Sequence, residues 1–271
     1  MVTTQKKTGT VRKAKKPTNK AVGKSGTVKK LNRAVRKPSR AKKPLVSIVV
    51  PVFNAAEFID DTIHSVLGQT FDDWELILVD DASSDNTLEV LEQFSSDKIR
   101  VVKLAKNGGA AKARNKGVAL ARGRYICFLD ADDLWQPDKL ERQLAFAKKT
   151  GAAFIFGSYV FADAKGRPKG KVVRVPVTIT YRQALRNTTI WTSTVMFDME
   201  KLEKKDVEMP DVRRGQDTAT WWKVLKKVEK AYGMSEVVAI YRRSDRTLSS
   251  NKLTALKRTW NLYRNVEHDS N

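Results

Sequence analysis

The chain has 271 residues, 41% of them hydrophobic, so it has enough apolar material for one large folded domain and cannot be wholly disordered. One cysteine, Cys127, excludes an internal disulfide framework, and one Cys with two His leaves too few soft ligands for structural zinc. No apolar run reaches the roughly 18 residues that span a bilayer, and no secretory signal is visible. These features predict a cytoplasmic protein.

The positive charge is concentrated at the start of the chain. The formal net charge is +22, and residues 1–44 contain sixteen Lys or Arg, no Asp or Glu and no aromatic residue. Such a segment buries too little surface to offset its chain entropy, so we predict a disordered polybasic tail. One interpretation is adhesion to a polyanion, such as an anionic membrane surface. The other is a solubilising extension without a dedicated partner.

After Pro44, short apolar runs alternate with amphipathic segments. The runs are continuous and rich in β-branched residues, which is typical of parallel strands buried on both faces. The predicted strands are Leu45–Val52, Trp74–Val79, Ile99–Leu104 and Tyr125–Leu129, and the predicted helices cover 57–68, 85–94, 109–121 and 138–149. This alternation predicts an α/β fold with a doubly wound, mostly parallel sheet.

The second half of the chain has weaker periodicity. The apolar runs predict strands at Ala152–Phe161, Ser193–Asp198 and Ser235–Tyr241. Helices are predicted at Thr218–Val228 and Lys252–Val266. The adjacent Trp221 and Trp222 of the first helix are expected to be core residues, with stacking of one of them on a sugar as the alternative.

Two acidic clusters follow predicted strands. Asp80-Asp81 ends the second strand, and Asp130-Ala131-Asp132-Asp133 follows the fourth. Since the carboxyl ends of parallel strands lie at one edge of a sheet, these carboxylates are expected to converge there. Packed carboxylates repel one another unless they share a cation, and Mg²⁺ or Mn²⁺ combines one or two carboxylates with phosphate oxygens. The alternative is that they are solvated loop acids.

Several ordered motifs resemble those of glycosyltransferase family 2, the inverting enzymes of GT-A fold. The resemblance covers about residues 45–265. The later motifs are similar to those of enzymes that build bacterial surface polysaccharides, such as the teichuronic-acid type. The motifs that carry it are Val46-Ser47-Ile48-Val49-Val50-Pro51-Val52-Phe53-Asn54, Leu78-Val79-Asp80-Asp81-Ala82-Ser83-Ser84-Asp85, Asn107-Gly108-Gly109-Ala110-Ala111-Lys112-Ala113-Arg114-Asn115, Leu129-Asp130-Ala131-Asp132-Asp133 and Gly215-Gln216-Asp217.

The resemblance implies which residues bind the donor. Pro51, Phe53 and Asn54 would line the nucleotide pocket, and Asp81 would accept a hydrogen bond from the base, as expected for uracil. Two arginines each have two interpretations. Arg114 would contact the nucleotide or decorate its helix, and Arg242 would reach the diphosphate or be an ordinary surface cation.

The resemblance also implies the metal site and the base. Asp132 would be the principal ligand of Mn²⁺ or Mg²⁺, with Asp130 near the ribose, the diphosphate and the metal. Asp217 would be the general base, although Gln216 stands where many relatives have Glu. The implied organisation is a nucleotide-sugar half at 45–150 and an acceptor and base half at 151–271.

The implied function is metal-dependent transfer of a sugar from a nucleotide-sugar, expected to be a UDP-sugar, to a hydroxyl of a surface glycan or lipid-linked acceptor. The enzyme would be cytoplasmic, with residues 1–44 holding it at the inner face of the membrane. Two alternatives stay open. One is a nucleotidyltransferase on a related sheet, and the other is a basic nucleic-acid-binding protein with a degenerate GT-A fold; nucleic acid is not expected as a substrate.

Overall fold

A computed structural model describes residues 43–186, 189–212 and 214–243, all of which belong to one compact unit. The predicted polybasic tail at residues 1–44 and the predicted helix at Lys252–Val266 lie outside these residues, apart from positions 43 and 44. None of the helices within the described ranges has the length and apolar character that crossing a membrane requires.

The first half confirms the predicted alternation of strands and helices. Each strand and helix starts or ends within a few residues of its predicted bound. The elements are β1 (Val46–Val52), α1 (Ile59–Leu67), β2 (Trp74–Asp80), α2 (Thr87–Glu92), β3 (Ile99–Lys103), α3 (Ala110–Leu120), β4 (Tyr125–Phe128), β5 (Leu134–Trp135) and α4 (Lys139–Thr150). Only the two-residue β5 has no counterpart in the prediction.

The second half departs further from the prediction. Its elements are β6 (Phe154–Ala162), β7 (Pro168–Val173), β8 (Thr178–Ile179), α5 (Tyr181–Ala184), a 3₁₀ turn (Thr192–Thr194), β9 (Met196–Asp198), α6 (Lys204–Val207), α7 (Gln216–Lys227) and β10 (Ala231–Arg242). The strand predicted at Ser193–Asp198 is wrong in its first residues, which belong to the 3₁₀ turn. β7 gave no apolar signal because five of its six residues are exposed.

The described strands form one ten-stranded sheet. Its main order is β3-β2-β1-β4-β9-β6-β10-β5, with β7 paired to β6 and β8 paired to β10. The first four strands of this order are parallel, and β9 runs antiparallel to both β4 and β6. The carboxyl ends of β1, β2 and β4 therefore meet at one edge, as the sequence predicted.

A hydrophobic core lies on each face of the sheet. Alternate residues of β1 serve the two cores, with Ile48 and Val50 in one and Val49 in the other. Gly117 allows α3 to lie close to this strand, because a Cβ at that position would be 2.3 Å from the Val49 side chain. The continuous apolar runs in the sequence therefore reflect burial on both faces.

Two buried side chains hydrogen-bond to the 3₁₀ turn from the core side, and a third, Lys139, hydrogen-bonds to one of them. The indole of Trp135 donates to the Ser193 carbonyl at 2.7 Å, and the Gln143 amide donates to the Thr194 carbonyl at 2.8 Å. Lys139 donates to Gln143 at 2.5 Å, and its ammonium lies 3.9 Å from the centre of the Trp135 ring. Burial lowers the pKa of Lys139 from 10.5 to about 8.

This buried lysine predicts a pH dependence of stability. Between pH 8 and 10.5 the unfolded chain keeps the Lys139 proton while the folded chain releases it, so stability rises with pH across that window. Relative to Lys139→Met, the wild-type free energy of unfolding should gain up to roughly 3 kcal/mol. Chemical denaturation at a series of pH values measures this. For Lys148→Met, at an exposed position of α4, the difference in unfolding free energy from wild type should not change with pH. If the difference between wild type and Lys139→Met were also independent of pH, the prediction would be wrong.

Candidate active site

A cleft of about 1290 Å³ opens at the edge where β1, β2 and β4 end. The predicted donor and metal residues Pro51, Phe53, Asn54, Arg114, Asp130 and Asp132 all line it. The predicted residues Asp81, Asp217 and Arg242 do not. The lining also contains five charged residues to which the sequence analysis gave no role, namely Glu57, Asp85, Asp163, Lys169 and Arg243.

The loop after β1 presents an exposed aromatic ring to the cleft. Asn54 adopts the left-handed backbone region at φ 46°, which Asn tolerates better than most residues. Its amide oxygen accepts from the Ser84 backbone at 2.8 Å, and its own backbone donates to the Ser83 hydroxyl at 3.0 Å. These bonds fix the loop and leave Phe53 49% exposed. The ring is therefore available to a planar ligand.

Asp81 has a structural task that the sequence did not indicate. Its carboxylate accepts from the backbone of Gly108 at 2.8 Å and of Gly109 at 2.7 Å, just before α3 begins. Asp81 is only 2% exposed. It thus anchors the helix that carries Arg114. Each carboxylate oxygen has a second lone pair, so the contact with a base stays a prediction.

Arg114 is a buried cation at the cleft wall. Its guanidinium pairs with Asp130 at 2.5 Å and lies 3.7 Å from the Met209 sulfur, while its buried Nε has no partner among the described residues. The next residue, Asn115, exchanges two hydrogen bonds of 2.8 Å with the Met209 backbone. Arg114 is therefore not a surface decoration, and α3 fixes the segment that leads to Asp217.

The acidic loop after β4 contains three carboxylates in different surroundings. Asp130 is paired with Arg114. Burial, and then the charge of Asp130, raise the pKa of Asp132 to about 6. Asp133 is fully buried and accepts from the Trp191 indole at 2.7 Å, the Ser193 hydroxyl at 2.5 Å and the Arg242 backbone at 3.2 Å. Asp133 therefore shapes the loop, and Asp130 and Asp132 face the cleft.

The donor set at this loop fits a hard divalent cation. Within the described residues no group of three or more His, Cys, Asp or Glu is placed so that it could hold a metal ion by itself. Mg²⁺ and Mn²⁺ bind through one or two carboxylates and keep water and phosphate oxygens as their other ligands, so a protein cage is not needed. Burial is the main cause of the raised pKa of Asp132, and the neighbouring charge of Asp130 adds to it.

Asp217 lies in the first turn of α7, near the acidic loop but outside the cleft lining. Its carboxylate accepts from the Thr192 hydroxyl at 3.3 Å and from the Thr218 backbone at 2.8 Å. Thr192 precedes Ser193, whose hydroxyl accepts from the Asp130 backbone at 3.1 Å. The 3₁₀ turn thus connects the predicted base to the acidic loop. The neighbouring Gln216 lines a second cleft of about 500 Å³ with Gly108, Gly109, Lys112 and Asp211.

The two arginines at the end of β10 have opposite environments. Arg242 is 2% exposed, pairs with Asp61 at 3.2 Å and lies over the Phe58 ring. Its Nε and one terminal nitrogen are buried without a partner in the described part of the chain. Arg243 is exposed and lines the cleft. Arg242 is the last residue of β10 and Arg243 follows the strand, and of the two only Arg243 lines the cleft.

The tryptophans of α7 are core residues, as expected. Trp221 is 3% and Trp222 is 1% exposed, and both belong to the core that includes Phe154 and Phe197. Neither ring is available for stacking on a sugar.

Comparisons with known proteins identify the class. The sequence matches the family described as Glycosyl transferase family 2 over residues 47–208. The putative teichuronic acid biosynthesis glycosyltransferase TuaG of Bacillus subtilis is 47% identical over 227 residues, covering 83% of this chain and 89% of that protein. The UDP-Glc:alpha-D-GlcNAc-diphosphoundecaprenol beta-1,3-glucosyltransferase WfgD of Escherichia coli is 38% identical, covering 80% of this chain and 85% of that protein.

Solved structures share the fold at low sequence identity. S. aureus TarS 1-349 in complex with UDP-GlcNAc has a TM-score of 0.65 and 21% identity, covering 76% of this chain and 61% of that one. Mannosyltransferase PcManGT from Pyrobaculum calidifontis in complex with GDP-Man and Mn²⁺ has a TM-score of 0.59 and 20% identity, covering 76% and 59%. The protein is a glycosyltransferase with the GT-A fold. The chain belongs to glycosyltransferase family 2.

Proposed function

We propose that this enzyme transfers a sugar from a UDP-sugar to a hydroxyl of a surface glycan or lipid-linked acceptor, with inversion. The observation that carries the proposal is the cleft that combines the exposed Phe53 ring, the buried Arg114–Asp130 pair and Asp132 at one sheet edge. The names of the relatives support the substrates. WfgD is named for a UDP-Glc donor and a diphosphoundecaprenol-linked acceptor, and TuaG for teichuronic acid biosynthesis.

In this proposal residues 45–150 hold the donor and residues 151–271 hold the acceptor and the base. Phe53 packs against the base, and Asn54 and Pro51 border the same pocket. Asp81 accepts a hydrogen bond from uracil through its remaining lone pairs. Arg114, at the cleft wall, contributes positive charge beside the nucleotide, and Arg242 contributes positive charge near the diphosphate.

Asp132, with Asp130 beside it, would hold Mn²⁺ or Mg²⁺. When bound, the metal supplies Lewis-acid stabilisation for the negative charge that develops on the leaving diphosphate. The PcManGT structure contains Mn²⁺, which supports a metal in this fold. Arg114 neutralises Asp130 and so leaves Asp132 as the principal free carboxylate of the loop.

Asp217 would remove the proton from the acceptor hydroxyl as that oxygen attacks C1 of the sugar. The new C1–O bond forms while the bond between C1 and the diphosphate oxygen breaks, and the electron pair leaves with UDP. Attack from the face opposite the leaving group inverts C1 in one displacement, so no second nucleophilic carboxylate is needed. The Thr192 hydroxyl, which donates to Asp217, orients the carboxylate for this step.

Nucleotidyl transfer and nucleic-acid binding are not favoured. The family match and the relatives named as glycosyltransferases support sugar transfer instead.

The metal assignment is tested with Asp132→Asn. Removing this carboxylate should abolish the increase in UDP affinity that Mn²⁺ produces, because the principal metal ligand is lost. Calorimetric titration of UDP with and without Mn²⁺ measures it. Asp97→Asn, at an exposed position, serves as the control. Wild-type metal dependence in Asp132→Asn would rule out this residue as the ligand.

The base assignment is tested with Asp217→Asn. Loss of a general base should lower kcat by about 10²- to 10⁴-fold, while UDP-sugar affinity stays within about twofold of wild type. Initial rates with a GlcNAc-diphospholipid acceptor and donor titration measure the two quantities. Asp211→Asn, which removes an exposed carboxylate six residues earlier, should retain its rate. Normal turnover by Asp217→Asn would refute the assignment.

We further propose that residues 1–44 bind an anionic membrane surface. Deleting them removes sixteen cations and should weaken binding to phosphatidylglycerol vesicles at least tenfold, while activity on a detergent-dispersed acceptor is retained. Vesicle sedimentation measures the binding. Unchanged sedimentation after the deletion would show that the tail is not the attachment site.

A further inference from the structure

The hairpin formed by β6 and β7 carries a dense positive charge. Residues 163–174 contain five Lys or Arg and a single carboxylate, Asp163. That carboxylate is engaged within the hairpin, since it pairs with Arg167 at 2.8 Å and accepts from the Lys165 backbone at 2.9 Å. The positive charge of the other four cations is therefore not balanced inside the hairpin.

Lys169 of this hairpin and Arg243 lie at the cleft, and Lys171 shares the Phe161 ring with Arg243. The Lys171 ammonium lies 5.8 Å and the Arg243 guanidinium 4.1 Å from the centre of the Phe161 ring. Within the described ranges none of these three cations has a carboxylate oxygen within 4.0 Å. Three exposed cations that no carboxylate of the described residues neutralises form an anion-binding surface.

This cationic surface is displaced from the donor end of the cleft. The carboxylates Glu57, Asp85 and Asp132 follow β1, β2 and β4, whereas Lys169 and Lys171 belong to β7 and Arg243 follows β10. β7 pairs with the same edge of β6 as β9 does, which places it two strand positions from β1, or roughly 10 Å at the usual strand spacing, and β10 lies on the far side of β6. The surface is therefore placed on the acceptor side of the proposed reaction centre.

Apolar side chains accompany the cations. Four large apolar side chains are exposed in the described part of the chain, and two of them, Val172 at 38% and Val177 at 77%, belong to β7 and the segment after it. Val172 directly follows Lys171, whereas Val177 lies near the start of β10, where its carbonyl accepts from the Gly233 backbone. A cation next to an exposed valine matches a ligand in which a phosphate is joined to hydrocarbon. A free sugar hydroxyl or an uncharged glycan would use neither feature.

We propose that Lys169, Lys171 and Arg243 bind the phosphate or diphosphate of a lipid-linked acceptor, with the lipid chain leaving past Val172. The proposal rests on the proposed function for the identity of the occupant as the acceptor. The hairpin then selects acceptors by the charge of their linkage group, and the donor pocket is not involved. The competing occupant is the anionic bilayer itself, which the experiment below distinguishes.

The test compares two probes on the full chain with saturating UDP, which fills the donor diphosphate position. The probes are a GlcNAc diphosphate ester of farnesol and the uncharged farnesyl glycoside of GlcNAc, both in non-ionic detergent. The variants are Lys169→Gln/Lys171→Gln and the control Lys148→Gln/Lys149→Gln, which removes the same charge from exposed positions of α4. A third measurement is sedimentation with phosphatidylglycerol vesicles.

The hairpin variant should lose about tenfold in affinity for the diphosphate probe, with the uncharged probe, UDP affinity and vesicle binding unchanged. The control should bind the diphosphate probe as wild type does. Equal affinity of the hairpin variant and wild type for the diphosphate probe overturns the proposal, and so does a loss confined to vesicle binding, which would assign the hairpin to the bilayer. If wild type binds no UDP but the diphosphate probe still depends on the hairpin, the donor assignment fails and this site stands.

Discussion

The buried carboxylate of Asp133 is the interaction on which the site depends. Its three donors come from separate places: the Trp191 indole, the Ser193 hydroxyl of the 3₁₀ turn and the Arg242 backbone at the end of β10. The Thr62 hydroxyl of α1 lies 2.9 Å from the carbonyl oxygens of both Ala131 and Asp133, which share its single O–H donor. A fully buried carboxylate without such donors would be costly, so these bonds fix one conformation of the acidic loop.

The 3₁₀ turn gives the proposed metal carboxylates and the proposed base a common support. Ser193 contacts the Asp130 backbone and Asp133, while Thr192 contacts Asp217. Trp135 and Gln143 hold the turn from the core side. Residues far apart in sequence are thereby held by a three-residue segment with no exposed face of its own, since Thr192, Ser193 and Thr194 are all buried.

The sequence predicted the fold of the first half well because its physical signals are local. Apolar runs buried on both faces define β1, β2 and β4, and acids directly after β2 and β4 have to lie at the same edge of a parallel sheet. The second half depends on long-range contacts. β7 is polar and exposed, so it has no strand pattern, and the burial of Arg242 at the end of β10 beside the exposed Arg243 depends on contacts with other elements. Likewise, only the fold reveals that Asp81 accepts from the backbone of Gly108 and Gly109 just before α3.

The attachment of β7 has a consequence for how such enzymes diversify. Among the described strands it pairs with β6 alone, whereas β1 and β4 are each enclosed by two neighbours. Insertions, deletions or charge reversals in β7 would break no strand pairing except that with β6, while the same changes near Arg114 would disturb both its ion pair and the Met209 segment. Sequence change can therefore accumulate in β7 while the parallel strands and the wall of the cleft stay as they are.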